Sequence, residues 1–389
     1  MITRRFGRTG LDISVFSCGG MRAQQSWSRA ASVGVASQTN LEAVVARALA
    51  LGINHFETAR GYGTSEAQFG RALAARPRDS FILQTKLRPN ADPRLFEAQL
   101  EESFELLGVS VIDLLAVHGV NTDGEAEQTL RPGGCLEVLE RFRRAGRLRH
   151  LGFSTHARTP LILDLIATDR FDYVNLHYYY IFQDNLPALV AARVRDLGVF
   201  IISPSDKGGR LYRAPAKLRD LCAPLSPMAF NDLWCLNHPQ IHTLSIGAAR
   251  PSDFDAHVEA LSHLDGVGTS LPPIVRRLEQ AYADAVGPDF ARRWQEGLRE
   301  WTELPGQINV KRILWLRNLV RAFDLLDFAK ERYASMSPDD AWVPGARAAD
   351  VDDAALLAAL PDAPFRARIP DLLREAHALL DDPEARALP

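Results

Sequence analysis

Between residues 50 and 250 short apolar runs alternate with longer segments of helical periodicity, and each run ends in polar or glycine-rich residues. Such alternation predicts repeated βα units around a parallel sheet. The strands it predicts are His55–Thr58, Phe81–Lys86, Ile112–His118, Leu148–Ser154, Tyr173–His177, Val199–Ser203 and Thr243–Ile246, and Val15–Gly19 makes eight. The helices between them are predicted over Leu41–Leu51, Ser65–Ala75, Pro93–Leu107, Gly134–Ala145, Pro160–Ala167, Asn185–Leu197 and Ser252–Leu264. Only Leu211–Ile241, interrupted by Pro215, Pro224, Pro227 and Pro239, carries no regular pattern.

Eight strands with intervening helices over about 250 residues is the expected size of a (β/α)8 TIM barrel. The fold class is therefore α/β, with the barrel occupying residues 1–266. A doubly wound open sheet is the alternative, and it would carry a glycine fingerprint after its first strand. Gly7, Gly10, Gly19 and Gly20 lack that spacing. Beyond about residue 267 the strands stop, and residues 267–389 are predicted to form an all-helical C-terminal region. Ile313, Leu316, Val320, Phe323 and Leu326 recur at three and four residues, which places them on one helical face. Pro370 opens a final helix, Asp371–Leu380, at a position where proline is tolerated.

Composition narrows the partners. Of 389 residues, 47% are hydrophobic and 24% charged, enough to bury a large core. Lys plus Arg number 45 against 48 Asp plus Glu, so a net charge of −3 supplies no general field for nucleic acid or an anionic membrane, and neither is expected as a partner. No stretch approaches the roughly 18 apolar residues that cross a bilayer, and Met1–Arg5 leads into a polar segment, so a cytoplasmic protein is expected. Cys18, Cys135, Cys222 and Cys235 lie far apart, without the paired spacing of a metal site, a redox motif or a disulfide framework.

In a barrel of this kind the reactive groups sit where strands end. The second strand runs into Glu57-Thr58-Ala59-Arg60-Gly61-Tyr62, the third ends at Lys86 and the fourth at His118. A carboxylate, a phenol, an ammonium and an imidazole are thereby expected at one rim. Lysine is conspicuous because only five of the 45 basic residues are lysine, and one stands at the end of an apolar strand. An ammonium is a compact charge that guanidinium does not imitate, and a buried one needs a partner, for which Glu57 on the adjacent strand is available. A phenol ordinarily titrates near 10, and a neighbouring cation stabilises its phenolate. The set suits proton donation by Tyr62 to a carbonyl that His118 orients while a nicotinamide delivers hydride. Taken singly, each residue also fits a structural role: an ion pair, a rim aromatic, a core histidine.

These residues resemble the aldo-keto reductases. The resemblance runs from Arg5-Phe6-Gly7-Arg8-Thr9-Gly10 to Ala249 and is most specific at Gly52–Ala59 with Tyr62-Gly63, at Thr85-Lys86 and at His118. It implies a barrel that binds NADPH at the strand C-terminal rim and reduces a small aldehyde or ketone, or oxidises the alcohol. It also implies Tyr62 as proton donor, Lys86 as modulator of its pKa, His118 as carbonyl orienter and Glu57 in a position the family fills with Asp. The longer carboxylate keeps its contact with Lys86 only if the backbone or rotamer adjusts.

For the cofactor, the resemblance implies that Ser154, Thr155 and Asn175 hold the nicotinamide amide. Ser203, Pro204, Lys207, Gly208, Gly209 and Leu211 resemble the pyrophosphate loop, and Gly247, Arg250 and Asp255 the loop that grips the adenosine 2′-phosphate. Arg250 with the N-terminus of the helix from Ser252 favours NADP over NAD. Tyr178-Tyr179-Tyr180 is read as an aromatic cluster filling the rim.

The C-terminal region is similar to the ferredoxin-like extension of a subset of the family, at Pro305–Val310 and Ile369-Pro370. No cysteine follows Cys235, so thiolate ligation of a cluster there is excluded. A helical appendage without the cluster is expected, available to a protein partner. The alternative functional reading is a nicotinamide-binding regulatory or interaction protein with weak or no turnover.

Overall fold

The computed structural model describes residues 1–382. Its strands are β1 (Thr3–Arg5), β2 (Asp12–Ser14), β3 (Phe16–Gly19), β4 (His55–Glu57), β5 (Ile82–Leu87), β6 (Ile112–His118), β7 (Leu148–Ser154), β8 (Tyr173–Leu176), β9 (Gly198–Ile201) and β10 (Thr243–Ile246). β3 to β10 pair in parallel and close into one eight-stranded barrel in the order β10-β3-β4-β5-β6-β7-β8-β9. All eight barrel strands fall where the apolar runs predict them, and β6, β7 and β10 have the predicted bounds. The outer helices follow local signals. Asp92 caps Pro93–Leu107 by accepting from the Arg94 amide, Gly108 ends it in the left-handed region, and Thr122 with Glu125 forms a capping box on Asp123–Leu130.

Side chains of a strand alternate between the barrel interior and the helices. Ile82, Leu114, Ala116, Tyr173 and Phe200 pack together inside, with Phe6 and Ile13 of the β1–β2 hairpin against them. Two or four residues further along the same strands come Gln84 and Lys86 on β5, His118 on β6 and Asn175 on β8. The interior thus changes from apolar to polar toward the strand C-termini, and the rim chemistry rests on a filled apolar floor.

The hairpin was not predicted. β1 and β2 are three residues each and pair antiparallel, too short for an alternation to register. The stretch without a pattern contains two helices, Ala216–Cys222 and Pro227–Leu236. Pro215 is the N-cap of the first and Pro227 opens the second, both positions where proline costs no hydrogen bond. The predicted helix Ser252–Leu264 is broken into a 3-10 turn (Pro251–Phe254), a short α-helix (Asp255–Ala260) and a second 3-10 segment (Leu261–Gly266).

The chain divides into two compact units, Met1–Gly208 with Asn231–Val267, and Gly209–Phe230 with the chain from Gly268 onward. In the second unit Val310–Phe323, Leu326–Ser335, Asp353–Ala359 and Ile369–Leu380 are helical, and no strand occurs among its described residues. Ile313, Leu316 and Phe323 are buried as their spacing predicts. Leu326 is not on their helix, because Asp324 at φ 59 ends it and the next helix begins there. Arg317 donates to Glu375 at 2.6 and 2.9 Å, tying Val310–Phe323 to Ile369–Leu380.

All four cysteines are free and buried. Among the described residues no helix is long and apolar enough to cross a membrane, and no group of three or more His, Cys, Asp or Glu side chains is arranged to hold a metal ion.

Candidate active site

The ladder between β4 and β5 continues past the end of β4 and sets the site. Thr58 N donates to Gln84 O at 2.8 Å and Arg60 N to Lys86 O at 2.9 Å, so the turn that carries Tyr62 runs beside the end of β5. Gly63 follows at φ +54, where a Cβ would stand 1.8 Å from Ser26 O, and this close approach brings the loop after β3 against the Tyr62 turn.

Glu57, Tyr62, Lys86 and His118 meet at this rim. The buried Lys86 ammonium donates to Glu57 Oε2 and, at 2.7 Å, to Thr58 O. It lies 4.8 Å from the centroid of the Tyr62 ring, and that ring meets His118 edge-on, centroids 5.7 Å apart. Glu57 Oε1 accepts from Ser245 Oγ at 3.1 Å. Gly19 is the β3 register partner of Glu57, and a Cβ there would lie 3.1 Å from Glu57 Oε1 and 2.9 Å from Ser245 Oγ. The longer carboxylate therefore reaches Lys86 in space that glycine leaves open.

Burial works to discharge Lys86, and the Glu57 carboxylate with the Tyr62 phenol outweighs it, so the ammonium titrates above its ordinary value. Burial also raises the Tyr62 phenol above its ordinary 10. Lys86 opposes this by charge and hydrogen bonding without reversing it, so the net direction is opposite to the expected acidification. His118 is lowered to about 3 by burial, then by Lys86 and Arg88, and is neutral near pH 7; its Nδ1 is buried without a partner.

The expected cofactor residues divide into distinct situations. Asn175 is fully buried at the β8 end, and neither Oδ1 nor Nδ2 of its amide has a partner. Ser154, its register neighbour, accepts from Gly119 N at 3.0 Å. A planar group with one carbonyl and one NH2 is the natural complement to such an unpaired amide, so these two residues fit a carboxamide. Thr155 does not join them, because its hydroxyl donates to Val120 O at 2.8 Å and accepts from Ala157 N at 2.9 Å.

After β9, Ser203 adopts φ 54 and its carbonyl accepts from Lys207 N, while Pro204 O accepts from Asn231 Nδ2 at 3.3 Å. Gly208 closes the first stretch of the barrel unit, and Gly209, at φ 121, and the buried Leu211 belong to the second unit. Arg22 crosses beside Gly247, at 3.3 Å from where its Cβ would be, and donates to Asp206 Oδ1 at 3.3 Å. Arg250 is mostly exposed and donates from Nε to Asp253 Oδ1 at 2.9 Å. The amides of Ala249 and Arg250 donate to Asp253 Oδ2. Asp255 is paired with Arg47 at 2.6 Å.

A second group at the rim was not expected. His156, two residues past Ser154, and His177, one past β8, lie with ring centroids 4.5 Å apart and bond to each other through Nδ1 and Nε2. Lys207 Nζ stands 3.1 Å from His156 Nδ1 and 3.4 Å from His177 Nε2, and Tyr179 Oη is 2.5 Å from His177 Nδ1. Tyr178 and Tyr179 are buried; Tyr178 stacks on Trp234, and Tyr179 packs at a tilt against His177. The available signal for the two histidines was their place just past strand ends.

The family model described as the Aldo/keto reductase family matches residues 16–185, from the start of β3 to beyond β8. Over that segment the chain is similar to the aldo/keto reductase family. The matched segment contains Glu57, Tyr62, Lys86, His118, Ser154 and Asn175, whereas the loops after β9 and β10 lie outside it. L-galactose dehydrogenase of Arabidopsis thaliana is 24% identical over 299 residues, 68% of this chain and 89% of that one. D-threo-aldose 1-dehydrogenase of a Pseudomonas species is 26% identical over 274 residues, 56% of this chain and 82% of that one. Among solved structures, the holo form of aldo-keto reductase AKR11C1 from Bacillus halodurans superposes with a TM-score of 0.60 at 20% identity, over 71% of this chain and 96% of that one, a likeness of fold.

Proposed function

We propose that the barrel is an NADPH-dependent oxidoreductase that reduces a small aldehyde or ketone, or oxidises the corresponding alcohol, with Tyr62 as the proton donor. The observation that carries this reading is the packing of the Tyr62 ring against both the Lys86 ammonium, 4.8 Å from its centroid, and the neutral His118, ring centroids 5.7 Å apart. The resemblance supports it, since the similar proteins named above are, by their names, dehydrogenases of L-galactose and D-threo-aldoses.

The nicotinamide, when bound, supplies the hydride. Asn175 and Ser154 would hold its carboxamide. His118, neutral, donates a hydrogen bond to the substrate carbonyl oxygen and fixes its direction. Tyr62, kept protonated by burial, delivers its proton to that oxygen as negative charge develops there. Lys86 stabilises the phenolate left behind until solvent restores the proton, and Glu57 holds the ammonium charged and in place. Arg250 would contact the adenosine 2′-phosphate on leaving Asp253, and Lys207 with Gly208 would line the pyrophosphate.

The test is NADPH oxidation across an aldehyde panel with wild-type protein and Tyr62→Phe, alongside titration with NADPH and NADH. The expected result is tighter binding of NADPH, and turnover that falls at least about 100-fold in the variant while its NADPH affinity is kept. Wild-type protein that binds NADPH yet oxidises it with no carbonyl would replace this reading with that of a cofactor-binding regulatory protein.

A further inference from the structure

We propose that the substrate carries an anionic group, a carboxylate or a phosphate, which binds on the Arg88–His118–His156 side of the barrel mouth with the Arg88 guanidinium as its ionic partner. The proposal rests on the carbonyl-reductase reading and names the substrate class for that site.

The closed strand order brings together groups that are remote in sequence. Arg88 directly follows β5, His118 ends β6, His156 lies two residues past β7, His177 one past β8, and Lys207 in the loop after β9 reaches back to both imidazoles. Consecutive strands thus present an arc of nitrogen groups across half of the mouth. Beside burial, cations lower both imidazoles: Lys86 and Arg88 the first, Lys207 and Arg88 the second, to which His118 adds. Both histidines are kept neutral, so the arc is a set of hydrogen-bonding imidazoles between two cations.

Five acids of the surrounding loops are engaged elsewhere. Glu57 holds Lys86, Glu102 pairs with Arg29 and Arg60, Asp123 faces Arg158, Glu125 accepts from the amides of Asn121 and Thr122, and Asp206 accepts from Arg22. Arg88 is exposed and, among the described residues, has neither an ion pair nor a hydrogen bond. Arg88 follows β5 directly, two residues past Lys86, whose ammonium faces the Tyr62 ring, so its exposed guanidinium stands at the same strand end and is placed to take a carboxylate or phosphate bidentately near the reacting carbon.

The cofactor's own phosphates do not account for Arg88. In a ring of eight strands β5 lies opposite β9, four strands away in either direction, and the loops expected to carry the pyrophosphate and 2′-phosphate follow β9 and β10.

The experiment measures NADPH oxidation with 4-carboxybenzaldehyde against its neutral counterpart 4-methylbenzaldehyde, and with glyceraldehyde 3-phosphate against glyceraldehyde, in wild-type protein, Arg88→Gln and Arg88→Lys. The expected result is a higher kcat/KM for the charged member of at least one pair. Arg88→Gln reduces that preference about 10- to 100-fold, chiefly through KM, and Arg88→Lys restores part of it. The pair that shows the effect identifies carboxylate or phosphate. Neutral aldehydes used as well as charged ones, a preference that survives Arg88→Gln, or a variant whose loss is in NADPH affinity would each overturn the proposal and leave the reductase reading standing. If no aldehyde is turned over, the reductase reading fails, and binding of 4-(hydroxymethyl)benzoate to NADPH-saturated protein decides the site. Binding that is lost in Arg88→Gln upholds the anion site, and absent or unchanged binding removes it.

Discussion

The protonation states of Tyr62 and His118 follow from what surrounds them. Burial holds the phenol above 10 despite Lys86, and burial with Lys86 and Arg88 holds the imidazole at about 3. Reduction needs Tyr62 protonated, a condition met at every pH below its raised value, and His118 neutral, a condition met at every pH above about 3. The kcat/KM for reduction is therefore expected to be level from about pH 5 to 9, where ordinary histidine titration would otherwise show near 6.5. A wild-type profile with an apparent pKa near 6.5 that disappears in His118→Gln would show the imidazole to be titrating. The four rim residues were legible in the sequence because each ends a strand or stands in the turn after one. Arg88 and His156 were not singled out, since a residue just past a strand end turns toward the mouth or away from it according to its loop. Gly19 making room for Glu57, and Asp253 occupying Arg250 and two backbone amides, are contacts between side chains and backbone that residue types alone do not reveal.

At the scale of elements, period and length decided what could be read. Buried parallel strands give short apolar runs, and β6, buried at six of its seven positions, stood out for that reason. The two three-residue strands of the N-terminal hairpin gave no such run, yet they floor the barrel: Phe6 packs on Tyr173 and on His242, with centroids 5.6 Å away in both cases. Gly7 makes that seat possible. It adopts φ +52, and a Cβ on it would lie 2.3 Å from Gly198 N and 2.5 Å from Asp196 O, atoms of backbone that cannot turn aside. Arg8 N donates to the same Asp196 carbonyl, so the turn cannot simply lift. Gly7→Ala is expected to destabilise the barrel by about 2–4 kcal/mol, read as a lower urea midpoint with an unchanged slope. A midpoint equal to that of the wild type would mean the hairpin is not fastened to the strands it underlies.

For the whole molecule, acid discriminates between the two units. In the barrel unit the fully buried His55 is lowered to about 3 by burial and then by Lys86, with His118 also at about 3 and His156 well below its usual value. These imidazoles are less basic folded than unfolded, so their contribution to stability is complete above about pH 6.5 and shrinks as pH falls toward 3, by up to about 1.4 kcal/mol per pH unit for each. In the second unit a perturbed acid-range group among the described residues is Glu375. Burial raises its pKa, the Arg317 and Arg321 guanidinium groups outweigh that, and it stands below the ordinary carboxylate value. Its contribution is full above about pH 4.5 and is lost only under more acid conditions. Between about pH 6.5 and 4.5 proton uptake on unfolding therefore weakens the barrel ahead of the helices. Hydrogen exchange at pH 5 and 7, corrected for the intrinsic rate, is expected to show loss of protection across His55–Glu57, Ile82–Leu87 and Ile112–His118 with Val310–Phe323 and Ile369–Leu380 retained. His55→Gln removes one of the groups responsible, so it should shrink the pH 5 to 7 difference in the barrel and leave the helical peptides as they were. Equal loss in both units, or a difference that His55→Gln does not alter, would mean that the buried imidazoles are not what makes the barrel sensitive to acid.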